Sequence, residues 1–424
     1  MGNDMMGQAA DTPTTASRRI ALLVLIVVSV FNYLDRTVIS ILQVPIKRDL
    51  SLSDAQLGAL TGLTFALFYS TLGVPIARLA DRYSRRIVIA GSLLLWSAMT
   101  AVSGFAGSFA MLVFFRIGVA LGEAGSIPAS HSMIADYYPP ERRATALGIW
   151  GLALPIGVML GYLSGGWLAQ AIDWRAALWI IGGIGVVLAP IVLMMLREPV
   201  RGRYDAGPAP DAMPWRDGLA LMARRPSLLL LFAGGALNNV VLSVALYWNA
   251  PFYTRLHGMA LGDVATALSL MTGLGGAIGI FLGGWLTDRI GADKPHLRPV
   301  LTGIALIAVT PAALVQLLST STTVSLIACA VTVMLLFFYY APIIAMTQTL
   351  VPASMRAFTS SILLLSVNLI GLGLGPWLTG VLSDVIGMGD QSLRYAMAAM
   401  SFVGIFAGSC FLLAARYYKK DLAK

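Results

Sequence analysis

Four ionisable side chains sit inside apolar runs long enough to cross a bilayer: Asp35 and Arg36 in the first run, Arg116 and Glu123 in the fourth. A charge at the centre of a membrane costs at least ~2.5 kcal/mol, so such residues face a cavity or a partner and mark function. Carboxyls of this kind can carry protons, because desolvation favours their neutral form and a nearby arginine favours the charged one. Arginine keeps its charge and offers a planar fork that fits a phosphate or carboxylate. At a rise of 1.5 Å per residue, Asp35 lies roughly 24 Å along its helix and Glu123 roughly 21 Å along its own, so both fall near mid-membrane. Arg116 and Glu123 are seven apart, on one helix face and about 10 Å apart along it. One cavity can therefore hold both without a direct ion pair between them. Asp35 and Glu123 are read as proton carriers, and Arg116 as the partner of an anionic headgroup, or of Glu123 when no substrate is present. Arg36 is read as a support for Asp35 or as pointing elsewhere, and is counted with Arg116 among the substrate-binding residues.

The elements that position these groups are plain in the composition. Of 424 residues, 58% are hydrophobic and 12% charged, about half the charge of a soluble domain. Apolar runs occur at 19–45, 54–78, 87–106, 109–137, 143–170 and 175–196. A polar stretch from Arg197 to Pro226 follows, then runs at 227–254, 263–287, 299–319, 322–350, 357–384 and 393–417. The expectation is an all-α membrane protein of twelve spanning helices, in two six-helix bundles (18–197 and 227–417). A tail (1–17), a linker (198–226) and a second tail (418–424) complete it. The N-terminal stretch lacks the basic start and cleavage site of a signal peptide, so the first run is read as a retained helix.

The net charge of +9 is no sign of a nucleic-acid partner, because most of the bases lie in short loops where they set membrane orientation. Of the 29 Lys and Arg, only Lys47, Arg48, Arg175, Arg255 and Arg394 fall on one side of the membrane, and Arg36 and Arg116 lie within spans. The remainder share the side of both termini, which that bias makes cytoplasmic. Cys329 and Cys410 lie within apolar runs and suggest no disulfide. No metal cluster, nucleophile–base pair or phosphate loop is recognisable, so neither an enzyme nor a cofactor other than the proton is expected. The longest polar segment is too short for the output domain of a sensor.

The chain repeats itself. Ala77-Arg-Leu-Ala-Asp81-Arg82-Tyr-Ser-Arg85-Arg86 follows the second run, and Gly284-Trp-Leu-Thr-Asp288-Arg289-Ile-Gly291 follows the eighth. Gly157, Gly161 and Gly166 recur as Gly371, Gly375 and Gly380, each displaced by 214. A duplicated six-helix unit of this kind places a transporter's substrate site between its halves.

The two loop motifs resemble the signature loop of the major facilitator superfamily, although Ala77 and Ser84 replace glycines in the first copy. Asn32-Tyr33-Leu34-Asp35-Arg36, Trp96-Ser97 and Arg116-Ile-Gly-Val-Ala-Leu-Gly122-Glu123-Ala-Gly125-Ser-Ile-Pro128 resemble the bacterial branch of the spinster family. That resemblance implies a proton-coupled lipid transporter for sphingolipids or lysophospholipids, monomeric, in a bacterial cytoplasmic membrane. The anion:cation symporters share a similar pattern, which leaves organic-anion symport open. The resemblance also implies a gate: Asp81 against the start of the eleventh helix, Arg85 paired with Asp136, and Asp288 and Arg289 repeating this in the second half. Arg82 belongs to the same motif.

The second half has no deep charge. Its positions matching Arg116 and Glu123 are read as Ile327 and Leu336, with Tyr247, Trp248, Asn238, Asn239 and the run Phe337 to Tyr340 nearby. The expected cavity is amphipathic, with charge on one wall and apolar or aromatic surface on the other. Tyr33, Asn238 and Tyr340 are expected at the substrate, and His131 is read as a packing residue.

Overall fold

A computed structural model describes residues 15–204, 215–291, 293–352 and 355–423. Most of the expected N-terminal tail (1–14) lies outside them. Among the described residues eleven helices are long and apolar enough to span a membrane, and the helical run 54–82 makes a twelfth. We label them α1 (Thr15–Ile41, extended by Gln43–Leu50), α2 (54–82), α3 (Arg85–Ser103), α4 (Phe109–Tyr137), α5 (Pro140–Ala171) and α6 (Trp174–Met195). The second half holds α7 (Pro226–Leu256), α8 (Leu261–Gly291), α9 (Leu297–Leu318), α10 (Thr322–Thr349), α11 (Phe358–Ile386) and α12 (Gln391–Leu422). With an even number of crossings, both ends share one side, here called the tail side. The opposite side is the far side.

Local chemistry sets the ends. Four helices that begin on the far side open with a side-chain cap, which satisfies amides otherwise left without partners. Ser53 and Gln56 form a capping box at α2, while Ser108, Asp173 and Ser321 cap α4, α6 and α10. The linker holds a helix, Trp215–Ala223, that the sequence reading did not anticipate. α12 also runs on to Leu422 with Tyr418 and Asp421 buried, so residues 418–422 belong to the bundle rather than to a free tail.

The repeat extends to irregularities. α2 and α8 each carry a π-helical stretch, at Ala59–Leu63 and Met271–Gly275. α4 breaks after Glu123 and α10 after Phe337. Irregular backbone within a membrane is tolerated where protein or a water-lined cavity covers it.

The halves meet on the far side. Pro251 in α7 has no amide to give to Tyr247 four residues back. Gln43 of α1 fills that gap, donating from Nε2 to the Tyr247 carbonyl at 2.7 Å. Ser40 and Tyr162 both donate to the Leu246 carbonyl beside it. Asp54 of α2 accepts from Lys47 (2.5 Å), Arg255 (2.8 Å) and Ser383 (2.7 Å), and Asp384 accepts from the amides of Asp54 and Ala55. Gly380 makes this approach possible, since a Cβ there would lie 2.1 Å from the Asp54 carbonyl. Towards the tail side the hydrophobic core divides, and Met222, Leu228, Phe232, Met346, Leu350 and Phe411 belong to a separate cluster of the second half and linker. The arrangement is closed on the far side and parted on the tail side.

Candidate functional site

α1 and α4 bring the four deep charges together, with pairings that cross those expected. Arg36 Nε lies 2.5 Å from Glu123 Oε2, and Arg116 Nη1 lies 3.7 Å from Asp35 Oδ2. Arg36 is thus the partner of Glu123 rather than a support for Asp35, and Arg116 pairs with Asp35 rather than Glu123. The cause is helix rotation: a Cβ on Gly122 would lie 2.7 Å from the Trp96 amide nitrogen. α4 therefore packs hard on α3 there and turns Glu123 towards α1. Asp35, Glu123 and Arg116 are buried, while the Arg36 side chain keeps 13% of its surface exposed.

Three residues that sequence reasoning missed complete the set. Thr100 of α3 donates to Asp35 Oδ1 at 2.5 Å. The Phe65 ring centroid lies 4.8 Å from both the Arg36 and the Arg116 guanidinium carbons. Tyr69 stacks on Phe65 and lies 4.6 Å from Arg36. Each such contact contributes about 0.5–2 kcal/mol, more where water is excluded. The two rings sit four apart on α2, so helical spacing within an apolar run was their one available signal. Several polar atoms of the set make no hydrogen bond among the described residues: Asp35 Oδ2, Glu123 Oε1, Arg36 Nη2, and Arg116 Nε and Nη2. Such orphaned groups are costly, each by about 1–3 kcal/mol. A packing cluster would be expected to satisfy them.

The opposite wall comes from the second half. Tyr247 is buried within electrostatic range of Arg36, Arg116 and Glu123. Tyr340, beside the break in α10, is 38% exposed and within range of Tyr33, which packs on Arg36. Asn238 is wholly buried and donates to the Leu336 carbonyl of α10, while its Oδ1 makes no hydrogen bond among the described residues. Ile327 is 62% exposed and so lies away from the interface, whereas Leu336 and Phe337 are buried. His131 stands edge-on to Trp150 at 4.6 Å. Cys329 and Cys410 are unbonded to each other.

The structure places Arg85 against Asp136 at 2.5 Å. Buried Arg85 also donates to Glu198 at 2.7 Å, to Ser132 and to the Pro199 carbonyl. The Glu198 carboxyl is partly buried, which alone would raise its pKa. Hydrogen bonds from Arg85, Ser84 and the Arg86 amide nevertheless hold it below the usual glutamate range. Among the described residues the second copy does not form the matching contacts in this arrangement, which is parted on the tail side where such a latch would close. Asp288 is exposed, 3.9 Å from Arg298, and Arg289 lies over Trp285 within its own helix. Arg82 is exposed, and the Asp81 side chain lies outside the described set.

Twelve spans in two repeated bundles, with buried charges at their interface, define a multi-pass membrane transporter. The sequence profile of the Major Facilitator Superfamily matches residues 25–370, and the chain belongs to that family. It is 35% identical over 408 residues to an MFS-type efflux pump of Mycolicibacterium smegmatis, covering 94% of this chain and 93% of that one. It is 27% identical over 428 residues to protein spinster homolog 1 of Homo sapiens, covering 94% of this chain and 80% of the relative. A crystal structure of a bacterial homolog of the human lysosomal transporter spinster, inward-facing and unoccupied, matches with a TM-score of 0.90 at 31% identity. That match covers 96% of this chain and 99% of the other; the occupied form of the homolog matches with 0.85. The protein is a transporter of the spinster type and not an enzyme.

Proposed function

We propose that the chain is a proton-coupled carrier of an amphipathic lipid of the lysophospholipid or sphingolipid class, working by alternating access in a bacterial cytoplasmic membrane. The tail side, which holds nearly all the loop bases, is cytoplasmic. The observation that carries the reading is the crossed pairing of Arg36 with Glu123 beside Tyr33, Tyr247 and Tyr340. A proton on Glu123 removes the negative partner of Arg36. The guanidinium, still held by Phe65 and Tyr69, then presents its free N–H groups to a phosphate. Release of that phosphate lets Glu123 lose its proton and reclaim Arg36, so headgroup and proton are bound and released together at a single arginine. The aromatic wall opposite suits an acyl tail better than the hydroxyls of a sugar acid.

Reconstitution into liposomes with an imposed pH gradient tests this. A labelled lysophospholipid and a labelled phosphorylated sphingoid base are expected to move, a hexuronate is not, and Asp35→Asn and Glu123→Gln should abolish accumulation. Movement of the hexuronate alone would assign the site to organic-anion symport. Lipid accumulation unaffected by both substitutions would remove the proton site from Asp35 and Glu123.

A further inference from the structure

Asp35 and Glu123 open in different directions. Glu123 is tied to Arg36, whose side chain keeps 13% of its surface exposed beside the aromatic wall of Tyr33, Phe65 and Tyr69. Asp35 instead borders a separate cavity of about 20 Å³ inside the first bundle, walled by α1, α2, α3, α4 and α6. That volume suits one water, which needs about 10–15 Å³ and two to four polar partners. The partners are at hand in the Asp35 carboxylate, Thr100, Ser103 and Arg116. Asp35 Oδ2 and Arg116 Nε and Nη2 have hydrogen-bonding capacity unused by protein.

The cavity lies on the far side of the ion pair. Val38 and Ile39 stand about a turn beyond Asp35, and Leu112 a turn before Arg116 on a helix that enters from the far side. Ser103 is the last residue of α3, two residues from Phe105, which is 66% exposed. The turn Gly104 to Ala106, packed against Trp179 and Arg175, follows Ser103 directly at the far-side end of α3. Asp54 and its partners meanwhile hold the far side shut to anything as large as a lipid.

We infer that this cavity is a proton port: Asp35 exchanges protons with the far side through water beside Ser103 while the substrate path on that side is closed, and Glu123 answers to the central cavity. In the step itself hydronium gives a proton to Asp35 Oδ2, an O–H bond forms, one water is left, and Arg116 loses its anionic partner. The charged groups facing Asp35 are Arg116 and Glu123 of α4 and Arg36 of its own helix. α3 offers only hydroxyls, and Leu60 and Leu178 are apolar. The inference rests on the reading of Asp35 as a coupling carboxylate.

The test fixes the conformation and needs no substrate. Ser383 Oγ and Asp54 Oδ2 are 2.7 Å apart, so D54C/S383C, oxidised, holds the far side closed. In proteoliposomes of this variant, the infrared carbonyl band of protonated Asp35 is assigned by its loss in D35N. The pH is then stepped on one side at a time. The band is expected to follow the far-side pH. Ser103→Val, which removes the hydroxyl, and Leu112→Phe, which fills the cavity, should each abolish that response while sparing any response to the tail side. A band that follows the tail side only, or that ignores both substitutions, overturns the port and leaves Asp35 as a carrier. A carboxyl that titrates from neither side overturns both readings.

Discussion

Arg36 makes two different kinds of contact, and they separate its charge from its position. Glu123 supplies the counter-charge, while Phe65 and Tyr69 hold the planar group. Lysine at position 36 keeps the charge but cannot stack as a plane or reach two oxygens at once. We expect Arg36→Lys to weaken binding of a lysophospholipid about tenfold, equivalent to about 1.4 kcal/mol, in a detergent binding assay. Glu123→Gln mimics the protonated acid. It should leave binding as tight as the wild type at low pH and remove its pH dependence, even as accumulation fails. Binding lost altogether in E123Q would mean that Glu123, rather than Arg36, touches the ligand. The four charges were legible in the sequence from residue type and depth alone. Their partners were not, because pairing depends on how α4 is rotated, and that is set by contact of Gly122 with Trp96, which spacing does not encode.

Among the elements, the far-side seam decides which way the cavity faces. α11 approaches α2 at Gly380, under the Asp54 carbonyl, where even a methyl group would collide with backbone. Gly380→Val must push the two helices apart and loosen the hydrogen bonds of Asp54 and Asp384. A loss of about 1–3 kcal/mol, usual for overpacking, would shift the balance towards a far-side-open form by about fivefold to a hundredfold. Labelling of a cysteine at Ser40 by a membrane-impermeant thiol reagent added on the far side should rise accordingly, and unchanged labelling would mean the seam is not the lock. The glycine repeat of α5 and α11 announced close packing in the sequence. It did not announce its partners: Gly157 and Gly161 pack on α1 of the same half, whereas Gly166 and Gly380 pack across the seam. The spans were legible because twenty apolar residues have few other uses. The linker helix and the breaks in α4 and α10 were not, because each is stabilised by tertiary contacts.

At the scale of the molecule, the two bundles are repeats with different duties, and the asymmetry extends to their tail-side ends. In the first half, Arg85, Asp136 and Glu198 bind the start of the linker to the bundle, with the Gly202 amide donating to Asp136 at 3.1 Å. Among the described residues Asp288 makes no such clamp, and its charge contact is with Arg298 at 3.9 Å. The linker therefore enters as part of the first bundle and, through Gly218 against Phe358 and Met355, leaves packed on the second. With one described end on each bundle, the linker is a strap between them on the side that must open and close. Its anchor is sensitive to acid, with a definite sign. The pKa of Glu198 is depressed in the folded protein, so the carboxylate stabilises the clamp fully above the ordinary glutamate value of 4.5. The contribution is lost as pH falls from there through the lower folded value. Hydrogen exchange of the Arg86 amide, which donates to Glu198 at 3.1 Å, reads this directly once corrected for intrinsic rates. Protection should be constant between neutral pH and about 5 and fall below the ordinary carboxylate range. Glu198→Gln should weaken protection at neutral pH and flatten its dependence on acid, while the α3 amides deeper in the membrane keep theirs. Protection that is indifferent to both acid and substitution would show that Arg85 and Asp136 hold the strap without Glu198.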